Sequence, residues 1–109
     1  MATHHIDLPI VFGALSDPTR LSVVERLARG PASVSDLAAP YGLAGPSFLK
    51  HLKVLENAGL VTSRKTGRVR TVELAPDTIG HVERWVTAHR KTWERRLDAL
   101  GNFLERDLQ

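Results

Sequence analysis

The chain has 109 residues, no cysteine, 25% charged residues and a net charge of +3. That length suits one small domain, and the absence of cysteine excludes disulfides, zinc–thiolate sites and thiol redox sensing. No apolar run approaches the roughly 20 residues that cross a bilayer, and "MATHHIDLPI" lacks the basic-then-apolar plan of a signal peptide, so the expected location is the cytoplasm.

In chain order, "LPIVFGAL" (residues 8–15) is an apolar candidate for a short first helix. In "SDPTRLSVVERLARG", Asp17 suits an N-cap and Pro18 the first helical position. Leu21, Val24, Leu27 and Ala28 recur at helical spacing until Gly30. "PASVSDLAAPYG" predicts a short helix capped by Ser33 or Ser35 and stopped by Pro40 and Gly42. A turn through Tyr41 and Gly42 then leads to a second helix starting near Pro46, which makes a helix-turn-helix candidate. After Gly59, "LVTSRK" and "RTVEL" flank a turn at Thr66-Gly67 and predict a β-hairpin. From Pro76 to about Arg106 a long helical pattern carries Ile79, Val82, Trp85, Val86, Trp93, Leu97, Leu100 and Leu104.

This order predicts one mainly α domain with a small β-hairpin, over residues 1–109: a winged helix-turn-helix with an extra helix on each side. The reading helix would span about 45–58, the wing about 60–74 and the last helix about 77–106. Within residues 44–70 stand six basic side chains against one acid, Glu56, whereas the flanking segments are each close to neutral. A basic patch on a near-neutral body is the footprint of a polyanion binder.

On a wheel at about 100° per residue, Phe48, Leu52 and Leu55 of the reading helix form a narrow apolar stripe. Ser47, Lys50, Lys53 and Asn57 occupy the opposite half, with Val54 among them. The second helix of a helix-turn-helix enters the major groove with its first residues at base edges. Ser47 and Lys50 can hydrogen-bond there, and Lys can also reach a phosphate. His51 lies beside the stripe and reads as a packing or hydrogen-bonding residue. Arg64, Lys65, Arg68 and Arg70 of the hairpin suit phosphate contact or a narrow minor groove. The candidate partner is therefore double-stranded DNA, through Pro46, Ser47, Leu49, Lys50, His51, Lys53, Arg64, Lys65, Arg68 and Arg70. No nucleophile–base set, phosphate loop or carboxylate pair sits at a useful spacing for an enzyme. A competing reading is a winged helix that has lost DNA binding and uses its long helix as a protein-interaction surface.

"FGALSDPTRLSVVERLARG", "SVSDLA", "PSFLKHLKVLENAGLV" and "RKTGRVRTVEL", followed by a Trp-bearing last helix, resemble the ArsR-type (ArsR/SmtB) family of bacterial winged-helix repressors over nearly the whole chain. The resemblance implies a homodimer that represses from a palindromic operator until a signal relieves it. Its interface would join the first helix (Leu8, Val11, Phe12) to the last (Trp85, Trp93, Leu97, Leu100, Leu104). The aromatic stripe itself needs a cover, either the protomer's own core or a two-fold partner, and the partner is the economical answer.

Metal-sensing members resemble one another at a Cys-x-Cys pair, which reads Ser33-Val34-Ser35 here, and hydroxyls are poor ligands for soft metals. They also share an Asp/His/His/Glu set on the last helix. Asp77, His81, His89 and Glu94 are the candidates, but at intervals of four, eight and five they miss that pattern. His81 and His89 stand about 12 Å apart along one helix, and the adjacent His4 and His5 read as incidental. The chain is thus expected to fall in a metal-independent branch with no cofactor; a repressor sensing metal through histidines and carboxylates is the alternative. It departs from the family pattern where Ala44 replaces a capping Ser, Gly45 a Gln and Leu49 a Ser. Leu49 could meet a thymine methyl or pack against the preceding helix.

Overall fold

The computed structural model describes residues 6–42 and 45–107. The Ala44 cap position and the His4–His5 pair lie outside them. The elements are α1 (Leu8–Leu15), α2 (Pro18–Leu27), β1 (Ala32–Ser33), α3 (Val34–Ala38) with a 3-10 turn at Ala39–Tyr41, α4 (Gly45–Asn57), β2 (Val61–Thr66), β3 (Val69–Leu74) and α5 (Pro76–Asp107). The mainly helical winged helix-turn-helix expected from the sequence is what the chain forms.

The caps explain where the helices begin. Asp7 accepts from the Ile10 N–H at 3.2 Å, and Asp17 from the Arg20 N–H at 3.0 Å. In both helices a proline fills an early position where no N–H is needed. Of the two serines considered for α3, Ser33 is the cap; its Oγ accepts from the Asp36 N–H at 3.1 Å.

Ser33 also ends a strand that periodicity did not show. Ala32 and Ser33 pair antiparallel with Val72 and Thr71, so the hairpin becomes a three-stranded sheet of order β1-β3-β2. Two residues are too few to show an alternating pattern.

The contacts divide the chain into two compact units, residues 1–79 and 80–109. The first has a core of Val11 and Ala14 from α1, Val23 and Leu27 from α2, Leu37 from α3, Phe48, Leu52 and Leu55 from α4, and Leu60, Val61 and Val72 beyond it. Val11 is 0% exposed, which corrects its expected place in a dimer interface: it belongs to the protomer's own core. The second unit is helix throughout its described length, and Trp93, Leu97, Leu100, Phe103 and Leu104 all stay exposed along it.

The end of α4 decides where the hairpin starts. The Leu60 N–H reaches the Leu55 carbonyl, and the Gly59 N–H reaches that of Glu56, each at 3.0 Å. This is a Schellman ending, with Gly59 at φ +78° and both Leu55 and Leu60, the positions of the motif's apolar pair, buried. The Gly59 carbonyl accepts from Thr78 Oγ at 2.5 Å, and the Ala75 N–H donates to Leu60. The last turn of α4, the hairpin and the first turn of α5 are thereby tied at one point. A Cβ on Gly59 would stand 3.3 Å from Thr78 Oγ1 in a left-handed conformation. Gly59→Ala is expected to destabilise the fold by about 1–2 kcal/mol, read as a lower urea midpoint at unchanged slope.

Candidate nucleic-acid interface

The apolar stripe of α4 turns inward as expected. Phe48, Leu52 and Leu55 are buried, and the Tyr41 ring stacks on Phe48 at 6.0 Å. Pro46, Ser47, Lys50, Lys53, Val54 and Asn57 are exposed. Leu49 is 50% exposed, so it points outward rather than packing against the preceding helix.

His51 is different from these. It is half-buried on the side of α4 that meets α2. Its Nδ1 lies 3.3 Å from Arg20 Nη1 and 3.8 Å from Asp17 Oδ2. Arg20 in turn donates from Nε to the Ala14 carbonyl at 2.7 Å, and from Nη2 to that of Gly13 at 3.4 Å. One guanidinium therefore joins the end of α1, the start of α2 and the middle of α4. From the sequence Asp17 reads only as a cap and Arg20 has no assigned role. Nothing in local periodicity signals a contact across 31 residues.

The hairpin closes through Gly67 and Arg68. Gly67 alone has positive φ, +63°, which fits a type II′ turn with glycine at its first central position. The register puts Lys65 directly across from Arg70, and Arg64 across from Thr71. Successive side chains alternate between the faces of a sheet, so Arg64 and the Lys65/Arg70 pair occupy opposite faces. Arg68 is at the tip and exposed, as are Arg64, Lys65 and Arg70. Arg70 is not left dangling: its Nη1 donates to Ser63 Oγ at 3.0 Å, and that hydroxyl donates to Glu56 Oε1 at 2.9 Å. The lone acid of the basic segment thus ties the wing to the reading helix.

On α5 the Trp85 and His89 rings stack at 4.2 Å, and the Arg96 guanidinium lies 5.6 Å from the Trp93 ring centre. Phe103, 60% exposed, extends the apolar stripe and was missing from the residues singled out in the sequence. On α1, Leu8 is half-buried and Phe12 is exposed. Among the described residues no three His, Asp or Glu side chains gather as metal ligands. Ser33, the first residue of the Ser33-Val34-Ser35 stretch, has its hydroxyl engaged as the α3 cap. A thiolate-type metal site does not fit these residues.

Residues 15–64 match a family model described as a helix-turn-helix domain. The chain is 36% identical over 92 residues to the HTH-type transcriptional regulator Rv2034 of Mycobacterium tuberculosis, covering 84% of this chain and 83% of that one. The crystal structure of the ArsR family transcriptional regulator RHA00566 superposes with a TM-score of 0.74 at 46% identity, over 80% of this chain and 96% of that one. The chain belongs to the ArsR family of winged helix-turn-helix transcriptional regulators. It is a DNA-binding protein of that family and not an enzyme. The transcriptional repressor SdpR of Bacillus subtilis is 33% identical over 58 residues, 53% of this chain and 64% of that protein. No described helix is long and apolar enough to cross a membrane.

Asp17 shows the electrostatic side of the α2–α4 junction. The backbone N–H of Arg20 holds its carboxyl below the ordinary 3.8, and the nearby Arg20 guanidinium charge acts in the same direction. A lowered carboxyl pKa contributes stability in full above 3.8, and that stability is lost as pH falls through the lowered value. Unfolding midpoints followed into acid should fall more gently for Asp17→Asn, which keeps a capping side chain but does not titrate.

Proposed function

We propose that this ArsR-family protein is a cytoplasmic, homodimeric repressor that binds a palindromic operator without needing a metal. The observation that carries the reading is the outward face of α4, where Ser47, Leu49, Lys50 and Lys53 stand exposed just ahead of a hairpin bearing Arg64, Lys65, Arg68 and Arg70. α4 enters the major groove, with Pro46, Ser47, Leu49 and Lys50 nearest the base edges. The wing takes the flanking backbone through Arg64, Lys65, Arg68 and Arg70. His51 belongs to the same surface at its edge. The dimer forms through the exposed apolar residues of α1 (Leu8, Phe12) and α5 (Trp85, Trp93, Leu97, Leu100, Leu104), to which Phe103 is added. Repression is supported by similarity to a relative that is itself a transcriptional repressor. Metal independence is supported by the absence of cysteine and by the use of Ser33 as a cap.

Gel-shift titration of sequences selected from random DNA tests this reading. Lys50→Ala should weaken selected-site binding by about tenfold and shift the selected base at its position. Arg68→Ala should weaken every sequence alike and reduce the slope of log affinity against log salt by about one. Both titrations should be unchanged by a chelator. Unaltered DNA affinity in both variants would remove α4 and the wing from the interface. Separately, Leu100→Glu places a charge in the α5 stripe, and sedimentation should show a folded monomer where the native chain sediments as a dimer.

A further inference from the structure

The reading helix carries one half-buried polar group whose hydrogen-bonding state can be worked out from its neighbours. A guanidinium has five N–H donors and no acceptor, and it keeps its charge. The 3.3 Å contact between Arg20 Nη1 and His51 Nδ1 therefore requires a lone pair on Nδ1. That is the neutral imidazole with its proton on Nε2. Asp17 does not compete for Nδ1: its Oδ2 lies 3.8 Å away and already accepts from the Arg20 backbone.

The second ring nitrogen has a direction as well. Among the described residues no buried side-chain nitrogen or oxygen lacks a hydrogen-bond partner. Nε2 has no partner within the described fold, so it reaches solvent, and the side chain is 24% exposed. His51 follows Ser47 by one helical turn, so the exposed edge of its ring adjoins the face that carries Ser47 and Lys50. Arg20 itself is held still by the Ala14 and Gly13 carbonyls.

We propose that Arg20 is a positioning residue for DNA binding: it locks His51 as the Nε2–H tautomer, whose outward N–H donates to a DNA phosphate oxygen at the rim of the α4 surface. The proposal rests on α4 being the reading helix. Its distinguishing property is that the donor is neutral. Neutralising a phosphate with Lys or Arg releases counterions and steepens the salt dependence, whereas a neutral donor adds affinity with no such term.

The test uses the full-length protein, ring-15N-labelled histidine and a short mixed-sequence DNA duplex, since phosphate contacts do not depend on sequence. In the free protein, His51 should show an unprotonated Nδ1 and a protonated Nε2, and Arg20→Gln should give a mixture of tautomers. His51→Phe should lower duplex affinity by about tenfold at every salt concentration, giving a line parallel to that of the native protein. His51→Gln, which keeps an outward N–H, should recover most of the loss. Both His51 variants leave Arg20 on its α1 carbonyls, so the result does not hang on a variant that loosens the α1–α2 junction. A predominant Nδ1–H tautomer would overturn the proposal, as would a flattened salt line in His51→Phe. If His51→Phe binds like the native protein while Arg68→Ala is weakened, this inference fails and the reading of α4 stands. If both bind like the native protein, the reading itself fails.

Discussion

The DNA-facing half of the molecule depends on the grip on α4. Phe48, Leu52 and Leu55 are held inside the core. Each such side chain contributes about 1.5–3 kcal/mol by leaving water. That burial fixes the rotation of the helix about its own axis, because the outward residues are simply those the stripe leaves over. Burial alone does not fix its position along that axis or its tilt. Directional contacts do this: the Arg20 guanidinium meets the helix midway along its flank, and the Schellman ending at Gly59 holds its last turn. Thr78 then fastens that ending to α5.

The wing is arranged differently. Lys65 and Arg70 sit opposite each other across the ladder, a like-charge pairing that costs stability in the free protein. The Ser63–Glu56 relay offsets part of that cost by drawing the Arg70 guanidinium toward the helix. What remains is an excess of positive charge at the tip, at Arg64, Lys65 and Arg68. A nearby polyanion relieves such repulsion, so the strain of the free state favours association.

The fold was legible wherever a signal was local. The cap at Asp17, a serine cap for α3 at Ser33 or Ser35 and the inward stripe of α4 all follow from a few neighbouring residues. So does the outward Lys50/Lys53 face, once the stripe is known. The misses have physical reasons. "LPIVFGAL" is apolar nearly all round, and a helix of eight residues gives too short a pattern to tell the protomer's own core from a partner-facing side, so Val11 reads as a dimer-interface residue. β1 is two residues long and exists only because β3 comes to it. Arg20 meets His51 across 31 positions, and a long side chain's target cannot be read from spacing. Phe103 follows Leu100 by three residues along the same apolar face, and the pattern could have included it.

One hydroxyl at the start of α3 carries more than its size suggests. Ser33 ends β1, caps α3 and stands where the family's metal sensors carry a thiol. The hydroxyl serves the first turn of a five-residue helix whose Leu37 is held in the core. Exchanging it for cysteine trades a strong helix cap for a weaker acceptor. A cysteine at this position would therefore weaken the start of α3 and leave the buried Leu37 as its main anchor.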